Sequence, residues 1–271
     1  MRKFVLAAGA LLACGPAFAA DDPYSLGNGD YWASYLDNAG RIVATPFASG
    51  DVNWTQNAIL FGGAVGLFLL DDDIRKLFKN NRNKGSDQAA DIFNNFGSLT
   101  LLAPATVGAY AIGRYTDDPK LTETGLLGFE SLAISGVFGE ATKRAVGRER
   151  PIDQGRSPDK AQFNGPGYGK EGSFPSGHVT AAFSVASVIA AEYRETPAIG
   201  VTAYGVAALT GLARLNDSQH WATDVFAGAA LGTGVGLLVY RFRPFGQEQQ
   251  QFALVPGAGD HPTGLTFKFT F

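Results

Sequence analysis

Pro175-Ser176-Gly177-His178-Val179-Thr180-Ala181-Ala182-Phe183-Ser184-Val185-Ala186 opens on helix-start chemistry and continues as a run that reads as a buried helix. Serine and glycine at a helix start leave backbone N–H groups free, and the helix dipole makes that end a ready anion site. The glycine lets the backbone approach an anion closely. Taken alone, the same residues also fit an ordinary serine cap with a packed histidine just inside it.

Two further blocks, upstream and downstream, ask for the same kind of ligand. Lys143-Arg144-Ala145-Val146-Gly147-Arg148-Glu149-Arg150-Pro151 places Lys143 and Arg150 seven residues apart, so a helix through the stretch would carry both on nearly one face. Pro151 is expected to stop that helix and leave Arg150 at its end. By itself the block also fits a solvated helix end. Downstream, Arg214 precedes His220 and Asp224, which stand four apart at the start of an apolar stretch and so would share a helix face. A carboxylate bonded to one imidazole nitrogen fixes the tautomer and aims the other lone pair outward, as a nucleophilic histidine requires. Arg214 can meet the same oxyanion as a planar fork. A His-Asp helix cap is the structural alternative for that pair. Together the blocks supply three cations, a helix-start nest, two imidazoles and a carboxylate for one phosphate-sized anion.

In order, spacing and residue type they resemble the signature motifs of the type 2 phosphatidic acid phosphatase and vanadium haloperoxidase superfamily, K-x-x-x-x-x-x-R-P, P-S-G-H and S-R-x-x-x-x-x-H-x-x-x-D. Ala213 departs from the pattern, standing where the family usually has serine, which weakens a supporting hydrogen bond more than it threatens the chemistry. The resemblance covers roughly residues 125 to 240 and implies an all-α helical bundle with the active site between helix ends. It implies that Lys143, Arg150 and Arg214 bind phosphate oxygens, with Ser176 and the Gly177 backbone adding hydrogen bonds. It further implies that His220 attacks phosphorus, Asp224 orients it and His178 protonates the leaving oxygen. The expected activity is metal-independent hydrolysis of a phosphomonoester or pyrophosphate through a phosphohistidine, on an envelope lipid such as phosphatidate, a polyprenyl pyrophosphate or a lipid A phosphate. A soluble periplasmic acid phosphatase is the alternative, and a vanadium haloperoxidase or a non-catalytic binder of lipid phosphate are more distant ones.

Other residues narrow the choice. His261, the third histidine, sits in Gly257-Ala258-Gly259-Asp260-His261-Pro262 and reads as a turn residue. No H-E-x-x-H or cysteine pair suggests a metal, no cofactor is expected, and Asp71-Asp72-Asp73 reads as a charged helix end or linker. A net charge of −3 gives no global basic surface for nucleic acid. The expected partners are a phosphorylated lipid or small phosphoester and a membrane surface.

The 271 residues, 45% of them hydrophobic, suffice for one domain with a sizeable core. Residues 1–19 read as a signal peptide: Arg2-Lys3, an apolar stretch, then Ala17-Phe18-Ala19. Cleavage there would put the chain in the periplasm and remove Cys14, the one cysteine; lipidation at Cys14 is the competing reading. Residues 20–53 read as an N-terminal arm without clear periodicity, 54–245 as the helical domain and 246–271 as a C-terminal β-hairpin, because Leu265-Thr266-Phe267-Lys268-Phe269 alternates with period two. Most of the apolar segments run shorter than the roughly 20 residues of a membrane span, and Glu130 interrupts one. They read as core helices, although Gly228, Gly232 and Gly236 repeat at a spacing that also packs membrane helices.

Overall fold

The computed structural model describes residues 25–48, 54–151, 163–166, 172–243, 251–256 and 265–270. Among them are eight helices: α1 (Gly29–Ala48), α2 (Trp54–Asn81), α3 (Lys84–Asn95), α4 (Leu99–Tyr115), α5 (Pro119–Val146), α6 (Gly177–Glu192), α7 (Pro197–Asn216) and α8 (Ala222–Arg241). Strands β1 (Gln251–Pro256) and β2 (Leu265–Thr270) pair antiparallel, Gln251 opposite Thr270. The expected helical bundle is therefore what the chain forms. Residues 1–19 and His261 lie outside the described residues.

The opening stretch of the sequence becomes α6, the central helix, which packs against α5, α7 and α8. Its Val179, Ala181, Ala182, Val185, Ala186 and Val188 are all buried, as expected of a helix that is apolar around most of its girth. Its closest neighbour is α8, and the glycine repeat is the reason. A Cβ on Gly228, Gly232 or Gly236 would lie 2.8, 2.3 or 2.4 Å from the carbonyl oxygens of Ser176, Thr180 and Ser184 respectively. Two four-residue periods thus run alongside each other, glycines on α8 against carbonyls on α6. Gly232→Ala is expected to cost about 3 kcal/mol, the upper end of overpacking penalties, because the obstacle is backbone. Gly234→Ala, where a Cβ meets nothing within 4 Å, should be neutral or slightly stabilising through helix propensity. Thermal unfolding in detergent compares the two, and equal melting temperatures would contradict this packing.

Two sequence readings need correction. Residues 29–48 are helical rather than an irregular arm. The helix uses an aromatic stripe, Tyr31 buried and bonded to Tyr35 (2.8 Å), followed by buried Asn38, whose Nδ2 donates to Glu130 Oε1 at 2.8 Å. A polar residue on the inward face hid the periodicity. Glu130, which does interrupt an apolar run, is carried fully buried within the 28-residue α5. Finally, α7 and α8 are each 20 residues, long and apolar enough to cross a membrane, and α3 with α4 forms a bent pair (46°) that also passes by length and composition. Leu36, Phe61, Leu69, Val137 and Val201 are exposed on the helix surfaces.

Candidate active site

The end of α5 is set by Gly147, a left-handed C-cap (φ 57, ψ 40) whose N–H bonds Lys143 O. Only glycine adopts that conformation without a Cβ penalty, so the helix stops four residues before Pro151. The expectation that Lys143 and Arg150 lie on one helix is thus wrong; Lys143 is in the last turn and Arg150 is on the extended segment that follows. The two still meet. Lys143 Nζ comes within 3.8 Å of the position a Cβ on Gly177 would occupy, at the start of α6. Burial, and then the charge of Arg150, lower the Lys143 pKa. Arg150 Nη1 donates to Gln219 Oε1 (2.9 Å) and Arg214 Nη1 to Asn94 Oδ1 (3.0 Å). Asn94 is itself tied to Asp217 (2.7 Å), so α3 holds the α7 arginine in place.

Ser176 is the N-cap of α6 by position, yet its side chain makes no capping bond. Its hydroxyl is fully buried and has no hydrogen-bond partner among the described residues, whereas its N–H donates to Asp224 O at 3.0 Å. An orphaned buried hydroxyl is costly unless a ligand completes it. Beside it, the first-turn N–H groups of α6 have no intrahelical acceptors, which with the helix dipole suits an anion. These features remove the ordinary-cap reading of Ser176.

His220 is buried and sits two residues before α8, not on its first turn as the four-residue spacing suggested. Its Nδ1 is 2.8 Å from Ser173 O and 3.6 Å from Asp224 Oδ2. A carbonyl only accepts, so Nδ1 carries the proton and Nε2 keeps its lone pair. The direct partner that fixes the tautomer is therefore a backbone carbonyl, while Asp224 acts on the ring from just beyond hydrogen-bond distance. Ser173 is anchored by its N–H to Arg148 O (2.7 Å) and its hydroxyl to Glu149 O (3.2 Å). Burial pushes the His220 pKa down to about 4, opposed by Asp224 and assisted by Arg214 and Arg150, so the ring is neutral at pH 7. His178, half-buried in the first turn of α6, is likewise held down to about 4, by burial first and then by Arg214, His220, Arg150 and Lys143.

Asp71 was read as a helix-end or linker charge; it is buried in the interior of α2 and ion-paired to Arg148 (2.6 Å). Arg148 also binds Asp224 Oδ1 at 2.7 Å and is itself buried. The sequence showed Arg148 only as one more cation in a basic block, and nothing linked it to a residue 77 positions upstream.

A cleft of about 370 Å³ opens beside Lys143, Gly177 and His178 and continues over Leu132 and Gly136 of α5. An apolar groove of about 760 Å³ shares Leu99, Leu132, Gly136 and Glu140 with it and extends past Ala103, Phe129 and Val137. Chemically, then, the cleft brings Lys143, the Gly177 end of α6 and the His178 imidazole to the mouth of an apolar groove.

Residues 125–247 match the model of the PAP2 superfamily. Over 184 residues the chain is 33% identical to a lipid A 1-phosphatase of Porphyromonas gingivalis, covering 67% of this chain and 36% of that protein. It is 36% identical over 87 residues to an acid phosphatase of Zymomonas mobilis, 32% of each chain. The chain thus spans about a third of the length of these curated relatives. In fold it is similar to a transmembrane PAP2 type phosphatidylglycerolphosphate phosphatase from Bacillus subtilis, with a TM-score of 0.52 at 21% identity over 79% of this chain and 94% of that one. Residues 125–247, which carry every one of the three motif blocks, form a PAP2 superfamily domain.

Proposed function

We propose that the chain is a membrane-embedded phosphohydrolase of the bacterial envelope that cleaves a phosphomonoester or pyrophosphate from a long-chain lipid. The observation that carries this reading is the continuity of the cleft at Lys143 and His178 with the apolar groove along α5, because one substrate with a phosphate head and an acyl tail would fill both. The relatives named lipid A 1-phosphatase and acid phosphatase support hydrolysis of a phosphoester, and α7 and α8 supply helices suited to a bilayer. With residues 1–19 as a secretion signal, the site would face the periplasm.

In this reading Lys143, Arg150 and Arg214 hold the non-bridging oxygens while the Ser176 hydroxyl and the Gly177 N–H complete the cradle. His220 Nε2 attacks phosphorus in line, and the bond to the leaving oxygen breaks as His178 protonates it. A water molecule then attacks the phosphohistidine, giving its proton to His178 and releasing inorganic phosphate. Two easier displacements replace one difficult one. The cations supply the fixed charge that the transferring group needs, so turnover is expected to survive chelation with EDTA.

The test is phosphate release by the full chain in detergent from lipid A, phosphatidate and a polyprenyl pyrophosphate, beside p-nitrophenyl phosphate. Ala133 supplies the discriminating variant, since it lines the apolar groove and not the cleft, so a larger side chain there would narrow the groove alone. Ala133→Leu is expected to lower kcat/KM on the preferred lipid by about tenfold, the equivalent of ~1.4 kcal/mol, with p-nitrophenyl phosphate unaffected. Equal losses on both substrates would remove the tail from the groove, and phosphate release from none of the substrates would remove the hydrolase.

A further inference from the structure

We propose that Asp71 and Arg148 are positioning residues that act on His220 through Asp224, holding the Asp224 carboxylate off the imidazole and tuning how strongly its charge is felt there. The rate consequences rest on the reading of His220 as nucleophile. The electrostatic coupling itself does not.

Every oxygen of the two carboxylates is assigned. Asp224 Oδ1 accepts from Arg148 Nη1 at 2.7 Å, and Oδ2 accepts the Trp221 N–H at 2.9 Å while lying 3.6 Å from His220 Nδ1. Arg148 Nη2 donates to Asp71 Oδ2 at 2.6 Å, and Nη1 also reaches Thr223 Oγ1 at 2.7 Å. Asp71 Oδ1 accepts the Thr223 N–H at 2.9 Å, and Oδ2 accepts the Thr223 hydroxyl. Asp71 therefore caps the N-terminus of α8 from a different helix, where a carboxylate is favoured by the α8 dipole. The Arg148 guanidinium is boxed by the rings of Phe68, Phe163 and Trp221, with centroids 5.5, 5.3 and 5.2 Å away. Side-chain exposure is 1% for Arg148, 5% for Asp71 and 0% for Asp224, so water screens none of these charges.

The arrangement does more than neutralise a buried carboxylate. Arg148 Nη1 alone would suffice to pair Asp224, yet Asp71 takes the other terminal nitrogen, Nη2, and fixes the guanidinium between α2 and the start of α8. The trio carries one net negative charge beside His220. From the other packed elements His220 faces Arg214 of α7, Arg150 after α5 and His178 of α6, and Ser173 O lies on its Nδ1. Against that cationic surround, the trio is the counterweight that keeps the imidazole basic enough to attack. It has a signature that packing alone lacks. Removing Asp71's charge leaves the trio neutral, and removing Arg148's leaves it doubly negative, so the two changes must shift His220 in opposite directions.

The experiment is an NMR pH titration of the full chain in micelles with ¹⁵N-labelled histidine. There are three histidines, and His220 is assigned by its loss in His220→Gln. Asp71→Asn is expected to lower the His220 pKa and Arg148→Gln to raise it, each by about half a pH unit or more. Thr223→Val, which removes a hydroxyl and no charge, should leave it in place. In turnover, Asp71→Asn should lower kcat about tenfold with KM nearly unchanged, and the acid limb of its pH profile should move with the titration. If Arg148→Gln does not fold, Asp71→Asn decides by itself, and the absence of a downward shift overturns the proposal. Shifts of the same sign in both charge variants, or none in either, also overturn it. If the titrations move oppositely and the wild type releases no phosphate from any substrate, the coupling stands and the hydrolase reading fails.

Discussion

His220→Ala is expected to abolish phosphate release from every substrate, by about four orders of magnitude or more, as removal of a covalent nucleophile does elsewhere. The loss should be the same for alkyl and aryl phosphates, because no later group can act before the histidine attacks. The geometry supports so large an effect. The Nδ1 bond to Ser173 O directs Nε2 outward, burial keeps the ring neutral, and the other histidine of the site lies at a different helix end. His178→Ala should behave differently, losing much more activity on an alkyl phosphate than on p-nitrophenyl phosphate, whose leaving group departs without a proton. The pH dependence follows with a definite sign. His178 is held near pKa 4 by burial and the surrounding cations, so kcat/KM on alkyl phosphates should fall as pH rises above that value. A bound phosphate offsets the surrounding cations and raises the His178 pKa, so kcat should persist to higher pH. Both features should vanish in His178→Ala.

Arg214→Lys and Arg150→Lys should each cost about 10²- to 10³-fold in kcat/KM although charge is kept. A guanidinium presents two parallel N–H donors to a phosphate, and an ammonium cannot reproduce that fork. The supporting bonds sharpen the expectation. Arg214 is held by Asn94 and Arg150 by Gln219, and a lysine would also lose those partners. Asn94→Ala should therefore produce a smaller loss of the same kind. Lysine variants with wild-type kcat/KM would show that these arginines do not hold phosphate.

The central helix, with the anion-suited start that the sequence proposed for it, was legible because short-range rules write it. An N-cap followed by an apolar run gave α6, and the glycine spacing on α8 anticipated a close helix contact that the Ser176, Thr180 and Ser184 carbonyls now explain. What stayed hidden depends on partners distant in sequence. Asn38 and Glu130 each look misplaced alone, and only their mutual bond makes them interior residues. Asp71 likewise looked like surface charge because Arg148 lies 77 residues away. The tautomer of His220 is set by a backbone carbonyl, which leaves no mark in residue identity. Local order misled at two helix ends: His220 falls before α8 despite its four-residue spacing from Asp224, and Gly147 ends α5 before the Lys143–Arg150 spacing can act as a helical repeat, a left-handed glycine cap outranking the proline further on.

The most direct test of the account is rapid quench of the full chain with ³²P-labelled substrate, followed by mapping of the acid-labile phosphate. The account predicts a phosphohistidine at His220 that forms faster than steady-state turnover, accumulates in neither His220→Ala nor the arginine variants, and disappears with release of inorganic phosphate. Label on His178, or turnover with no phosphoenzyme under conditions that trap phosphohistidine, would contradict it.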